Sequence, residues 1–127
     1  MKRGVHLNLN FDSETPIFLQ IARQLEDAIF TGVYPEETQI PSTTEISVGY
    51  KINPATVLKG MNLLVEDGIV YKKRGLGMFV ATGAIEQIKR KRQQQFAEKY
   101  IKPMLDEARK LGFSAEDMRR LIEEFAK

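Results

Sequence analysis

Asn53-Pro54-Ala55-Thr56-Val57-Leu58-Lys59-Gly60-Met61, followed downstream by Lys72-Lys73-Arg74-Gly75-Leu76-Gly77, is the stretch that decides the fold. Asparagine brings a side-chain oxygen to the free amides of a helix start, and proline at the first helical position lacks an N–H that has no partner there. Val57, Leu58, Met61, Leu64 and Val65 then recur with a helical period, while Thr56, Lys59, Asn62 and Glu66 point elsewhere. Asp67-Gly68 closes this helix. Ile69-Val70-Tyr71-Lys72 and Met78-Phe79-Val80-Ala81 are β-prone, and Lys73 to Gly77 between them holds the glycines of a hairpin tip.

Upstream, Ser42 and Glu45 form a Ser-x-x-Glu capping box for a short helix over 43–50, joined to the next by the tight Lys51-Ile52 connection. A brief extended Thr38-Gln39-Ile40-Pro41 precedes it, after the turn-rich Tyr34-Pro35-Glu36-Glu37. The first helix opens after the polar Asp12-Ser13-Glu14-Thr15 with Pro16 at an early helical position. It sets Ile17, Ile21, Leu25, Ala28 and Ile29 on one face and ends at Gly32. Three helices, the last two joined by a short turn, and then a β-hairpin make the winged form of the helix-turn-helix. In that arrangement the third helix lies in a DNA major groove and the hairpin reaches an adjacent groove or the backbone.

Downstream, from Ala84, the composition shifts to Glu, Gln, Lys and Arg and predicts helix. Ile85, Ile88, Phe96, Tyr100, Ile101, Met104, Leu105, Ala108 and Leu111 mark an apolar stripe that Pro103 is expected to bend. After Gly112, Ser114 and Asp117 form a second capping box, and Leu121, Ile122 and Phe125 complete the last apolar face. Two helices of this size cannot bury such stripes alone, so the stripes pack on the winged domain or on a second copy. The homodimer is favoured, with Phe96, Tyr100, Ile101, Met104, Leu105, Ala108, Leu111, Leu121, Ile122 and Phe125 as dimerisation residues and a two-fold related operator as its consequence. The expected architecture is mainly α with a small β-hairpin: a winged helix-turn-helix domain over 1–82 and a short two-helix dimerisation segment over 83–127.

Composition narrows the chemistry. The 127 residues hold no cysteine, which excludes disulfides, thiolate zinc sites and thiol catalysis, and the single histidine, His6, reads as structural or solvent-facing. Asp12, Glu14, Glu36, Glu37, Glu66 and Asp67 lie at helix starts, turns and a helix end, where simpler roles than metal binding or catalysis account for them. No nucleophile, base and orienting group stand at recognisable spacing, so no enzyme, metal or cofactor is expected. Arg74-Gly75-Leu76-Gly77 lacks the Gly-Lys-Ser/Thr ending and the following helix of a phosphate-binding nucleotide loop. No apolar run is long enough for a membrane span and Met1 to Asn10 lacks the core of a signal peptide, so a cytoplasmic protein without membrane contact is expected.

The formal charge of +2 conceals a local pattern, because Lys51 to Val80 carries Lys51, Lys59, Lys72, Lys73 and Arg74 against only Glu66 and Asp67. Three adjacent cations on a two-glycine turn suit an anionic partner, and Arg74 suits a narrow minor groove. The candidate DNA-binding residues are Ser42, Thr44, Asn53, Pro54, Ala55, Thr56, Lys59, Lys72, Lys73, Arg74 and Gly75. Asn53 is either a cap or a contact, Ser42 can be both, and Thr44 either donates to a phosphate or faces water. Lys59 is read as a contact rather than part of a solvated face. Lys89-Arg90-Lys91-Arg92 is read as a solvated helix face, with a secondary phosphate contact as the alternative.

These residues resemble the GntR family of bacterial transcription regulators, and its small YtrA-like branch in particular. The matching positions run from Pro16-Ile17 and Gln20-Ile21 through Gly32, Ile40-Pro41-Ser42, Glu45, Asn53-Pro54-Ala55-Thr56-Val57, Leu64 and Glu66-Asp67-Gly68 to Arg74-Gly75-Leu76-Gly77-Met78-Phe79-Val80. The short helical tail looks like the YtrA-type dimerisation segment. The resemblance implies a dimeric DNA-binding regulator, usually a repressor, commonly of an operon that includes an ABC transporter. It carries DNA-contact roles to Ser42, Asn53, Pro54, Ala55, Thr56, Lys59, Arg74 and Gly75. Thr44 departs from the arginine frequent in the family, and Met61 replaces a frequent aromatic. The residues name no small-molecule effector. A second reading keeps the same fold as a protein-interaction module whose helical tail docks another protein.

Overall fold

Helix α1, Ile17–Phe30, begins directly after Pro16, whose carbonyl accepts from the Leu19 and Gln20 N–H groups, both at 3.1 Å. Pro16 is thus the cap itself rather than an early helical residue, and it has no side-chain cap bond to offer. The computed structural model describes residues 6–127; Met1–Val5, where the stretch read for a signal peptide begins, lie outside the described residues. Gln20 and Gln24, one turn apart on α1, hold the segment before it. Gln24 accepts from the Asn8 N–H at 2.7 Å and donates to the Asn8 carbonyl at 2.9 Å, and Gln20 does the same for Asn10, at 2.9 Å each way.

Helix α2, Thr43–Tyr50, has the expected capping box: Ser42 Oγ accepts from the Glu45 N–H at 3.0 Å and Glu45 Oε1 accepts from the Ser42 N–H at 3.3 Å. Helix α3, Pro54–Glu66, packs on both α1 and α2. Its buried stripe is Val57, Gly60, Met61 and Leu64, which share one core with Ile21, Leu25 and Ile29 of α1 and Ile46 of α2. Leu58 and Val65, placed on the apolar face by the sequence period, are instead 44% and 38% exposed. Gly60 explains the shift, since a Cβ there would stand 2.6 Å from the Phe18 carbonyl oxygen, and only glycine lets α1 come this close. The close approach centres the buried face on Gly60 and leaves Leu58 beyond its edge.

Strands β1, Val70–Lys73, and β2, Gly77–Val80, form an antiparallel hairpin in the register Val70↔Val80, Tyr71↔Phe79, Lys72↔Met78 and Lys73↔Gly77. Both lie one residue closer to the tip than the β-prone runs suggest. The extended residues before α2 join the other edge of β2: the Ile40 N–H donates to the Met78 carbonyl at 3.0 Å and the Val80 N–H to the Thr38 carbonyl at 2.9 Å. Val70, Met78 and Val80 close the core from this side.

The chain forms two compact units that divide between Lys89 and Arg90. The first runs past Thr82 because Ala84 and Ile88, on the first two turns of α4 (Ala84–Phe96), are completely buried in its core. The second contains the rest of α4, α5 (Lys102–Lys110) and α6 (Ala115–Phe125). Where Pro103 was expected to bend a single helix, a π-helical turn over Ala97–Ile101 separates α4 from α5. Proline has no N–H to give and its ring crowds the carbonyl four residues back, so a widened turn just ahead of it accommodates both defects. Ser114 and Asp117 make the second capping box, and the Ser114 hydrogen bonds, backbone first, hold the Asp117 carboxyl below its ordinary range.

Candidate nucleic-acid interface

The turn between α2 and α3 is fastened from inside. Lys51 caps α2 in the left-handed conformation at φ 55°, the Ile52 N–H donates to the Ser47 carbonyl at 3.0 Å, and the buried Ser47 hydroxyl donates to the Ile52 carbonyl at 2.6 Å. Asn53 Oδ1 then accepts from the Ala55 N–H at 2.8 Å, so of the two roles open to this side chain the structure displays the cap. Pro54, Ala55, Leu58, Lys59 and Asn62 are exposed and Thr56 is half-buried. Positions 55, 58, 59 and 62 fall together on a helix, opposite the stripe that packs on α1. Lys59 also has an internal partner, with its Nζ 4.2 Å from the centroid of the Phe18 ring. Leu58 and Asn62 were absent from the residues picked out by sequence. Their signal was there in the seven-residue spacing from Ala55 to Asn62, but the helical period had assigned Leu58 to the core.

Ser42 is engaged at both its amide and its hydroxyl by the capping box, while Thr44 is exposed on the first turn of α2. At the wing, the Leu76 N–H donates to the Lys73 carbonyl at 2.9 Å and Gly75 takes φ 77°, which closes the tip around Arg74. Strand alternation splits the three cations. Lys72 is exposed and Arg74 projects at the tip, whereas Lys73 shares a face with Tyr71 and Phe79 and rests its ammonium 4.3 Å from the Phe79 ring centroid. Gln39 reaches under the tip to donate to the Leu76 carbonyl at 2.7 Å, and a Cβ on Gly77 would meet that same amide.

Glu36 and Glu37, read from sequence only as turn residues, organise the side of the wing away from the tip. Glu37 Oε1 accepts from the Tyr71 hydroxyl at 2.5 Å and Oε2 from the Thr82 hydroxyl at 2.6 Å. The Thr82 bond first, then the Tyr71 bond, hold the Glu37 carboxyl below its usual range, and the Glu37 carboxylate pushes the Tyr71 phenol up. Glu36 accepts from the Gly83 and Ile85 N–H groups at 2.8 and 3.3 Å, capping α4 from across the unit. No sequence spacing signals these bonds, because their partners lie 34 to 49 residues away.

A three-helix core with a fastened turn, a helix exposing one face and a basic two-stranded wing defines a winged helix-turn-helix of the DNA-binding class. The chain belongs to the GntR family: the model of bacterial regulatory proteins of the gntR family matches residues 18–80. Proteins of this family are DNA-binding transcription regulators. Within it the chain is YtrA-like, being 26% identical to the transcriptional repressor YtrA of Bacillus subtilis over 90% of this chain and 87% of that one. The HTH-type transcriptional regulator YhcF of the same organism is 31% identical over 91% of this chain and 93% of its own length. By contrast, the chain spans 33% of the length of the B. subtilis relatives YurK and NagR. A GntR-family regulator from Listeria monocytogenes has a solved structure that covers 90% of this chain and 98% of its own, with a TM-score of 0.69 at 28% identity. The AraR DNA-binding domain, solved in complex with operator ORX1, covers 61% of this chain and 100% of its own at a TM-score of 0.55 and 25% identity. No helix among the described residues is long and apolar enough to cross a membrane.

Proposed function

We propose that this chain is a sequence-specific transcription regulator, a repressor and not an enzyme, that binds a two-fold related operator as a homodimer in the cytoplasm. The observation that carries the reading is the exposed face of α3, Ala55-Leu58-Lys59-Asn62, which follows a turn fastened by hydrogen bonds in a unit that also carries the basic wing. The helix enters the major groove with its N-terminal end against the bases. Asn62 is chemically matched to adenine and Leu58 to a thymine methyl, while Lys59, its ammonium held over the Phe18 ring much as that of Lys73 is over Phe79, lends the face positive charge. Arg74 and Lys72 lie along the backbone or an adjacent minor groove, with Gly75 letting the main chain come near. Lys73 contributes through the shape of the wing, since its ammonium is engaged on Phe79. AraR, bound to its operator in the solved complex, supports the mode of binding, and the repressor YtrA supports the sign of regulation.

The homodimer is supported by residues 90–127, where Phe96, Tyr100, Leu105, Leu111, Ile122 and Phe125 are exposed. Ile101, Met104 and Leu121 are half-buried, and Ala108 is buried at 5% exposure. Footprinting of the DNA upstream of the chain's own operon tests the reading. Two protected half-sites related by a two-fold axis, with centres about 10 base pairs apart or at a larger spacing, are expected. Protection of a single unsymmetric site, or of none, contradicts it.

A further inference from the structure

We infer that Leu76, at the wing tip, makes an apolar contact with the floor of a DNA minor groove that selects A·T pairs, and that Gln39 is the residue that positions it. The inference rests on the operator reading above and deepens it by naming a determinant of sequence preference outside α3. Leu76 is 64% exposed, on a hairpin whose other aliphatic side chains, Val70, Met78 and Val80, are buried. Between Lys73 and Met78 the tip reads Arg74-Gly75-Leu76-Gly77, so it carries one cationic side chain and one apolar side chain and nothing else. Both main-chain polar groups of Leu76 are engaged within the unit. Its N–H donates to the Lys73 carbonyl at 2.9 Å, and its carbonyl accepts from Gln39 Nε2 at 2.7 Å. What the residue presents outward is its isobutyl group.

Gln39 is itself fixed, because it lies in the extended segment paired along β2, between the Thr38 carbonyl that accepts from the Val80 N–H and the Ile40 N–H that donates to the Met78 carbonyl. Gly77 makes room for the amide, since a Cβ there would stand 2.7 Å from Gln39 Nε2. The minor groove of B-DNA is about 6 Å wide, too narrow for a two-stranded ribbon with strands about 4.8 Å apart and side chains on both faces, but wide enough for one leucine side chain. Exposed Lys72 and Arg74 beside it match the phosphates along the groove walls. An A·T pair gives such a side chain a floor without a projecting group. A G·C pair raises the guanine 2-amino group there, and a leucine pressed on it meets that group and leaves its N–H donors without a partner. An uncharged contact of this kind adds discrimination without adding to the salt-dependent part of binding.

Hydroxyl-radical footprinting first locates the minor-groove stretch protected beside each half-site. The full chain is then titrated by fluorescence anisotropy against three operators that carry A·T, G·C or inosine·cytosine pairs throughout that stretch. Inosine·cytosine keeps the major-groove face of G·C and lacks the 2-amino group. The parent should bind the A·T and inosine·cytosine operators within about twofold of each other and the G·C operator about tenfold more weakly. Leu76→Ala should reduce that preference to about twofold and keep the melting temperature and salt slope of the parent, because the side chain removed is exposed and uncharged. Gln39→Ala, which retains the leucine and loses the bond to its carbonyl, should give an intermediate preference at the same salt slope. Arg74→Ala should weaken binding to all three operators alike and leave the preference in place. A preference kept in Leu76→Ala, or lost in Arg74→Ala instead, overturns the inference, as does an inosine·cytosine operator that binds like the G·C one. A full preference in Gln39→Ala overturns the positioning role. A parent that binds the three operators equally, yet tighter than a scrambled duplex, overturns the inference and leaves the operator reading standing. If the parent does not distinguish any of the three from the scrambled duplex, the operator reading has failed and the inference falls with it, and this is visible before any variant is measured.

Discussion

The two units of this chain treat their apolar residues in opposite ways. In the unit that ends at Lys89, Ile21, Leu25, Ile29, Ile46, Met61 and Leu64 are at most 1% exposed, while in the unit from Arg90 onward Ala108 alone among the described residues is buried and Phe125 is 86% exposed. Both halves have amphipathic helices and each holds a capping box, at Ser42 and at Ser114, so the contrast does not come from local structure. It comes from whether a covering surface exists within the same unit. Residues 17–89 supply three helices, a hairpin and the first turns of α4 around one centre. Residues 90–127 leave Phe96, Tyr100, Leu105, Leu111, Ile122 and Phe125 exposed, and helices of that length draw most of their stability from packing that a second copy can provide.

The sharpest way to break the comparison is to open the first core. Leu25→Ala should lower the unfolding free energy by about 3 kcal/mol in urea denaturation, since it removes a completely buried side chain from a closed site. Gly60→Ala should cost about 2 kcal/mol by the same measurement, because the added methyl meets the Phe18 backbone rather than a side chain that can swing away. In the second unit, Phe96→Ser with Phe125→Ser should change unfolding of the first unit by less than about 0.5 kcal/mol. The dimer dissociation constant from sedimentation equilibrium should meanwhile rise by about tenfold or more. A monomer with unaltered mass in both parent and variant would assign the tail to a different partner.

A smaller effect is expected at the wing. Arg74→Ala should make the slope of log K against log salt shallower by about 1, whereas Lys73→Ala should change that slope less because its ammonium is held on Phe79. The smallest concerns the hydrogen-bonded cluster of Tyr71, Glu37 and Thr82. Its Glu37 component is present above the ordinary carboxylate range and fades as pH falls through the lowered Glu37 value. Its Tyr71 component is present below the ordinary phenol value of 10.0 and fades as pH rises through the raised one. Glu37→Gln should bring the Tyr71 phenol back toward 10.0, read as the difference between ultraviolet titrations of that variant with and without Tyr71→Phe.

Much of the winged unit was legible in the sequence because its signals are local. Asn53-Pro54, the Ser42 and Ser114 capping boxes and the glycines of the hairpin tip each act within a few residues and appear where expected. Four features were not legible, for physical reasons of their own. The burial of α3 turns on Gly60, whose importance depends on a helix crossing that no period encodes. The apparent cluster of Lys72, Lys73 and Arg74 is divided by the two-residue alternation of a strand, once the aromatic partners of Lys73 are brought in from β2. Glu36 and Glu37 act on partners beyond the reach of any local motif. The end of the first unit lay past Thr82 for the related reason that Ala84 and Ile88 are helical in sequence and core in space.

Sequence-specific DNA recognition by the exposed face of α3 is the claim on which the rest depends. Its most direct measurement is an anisotropy titration of the full chain against the footprinted operator and a scrambled duplex of equal length, repeated across a range of salt. The operator should bind tighter by about a thousandfold or more, and log K should fall with log salt at a slope of about −5 if roughly six phosphates are neutralised. Equal affinity for the two duplexes at every salt concentration would contradict the account.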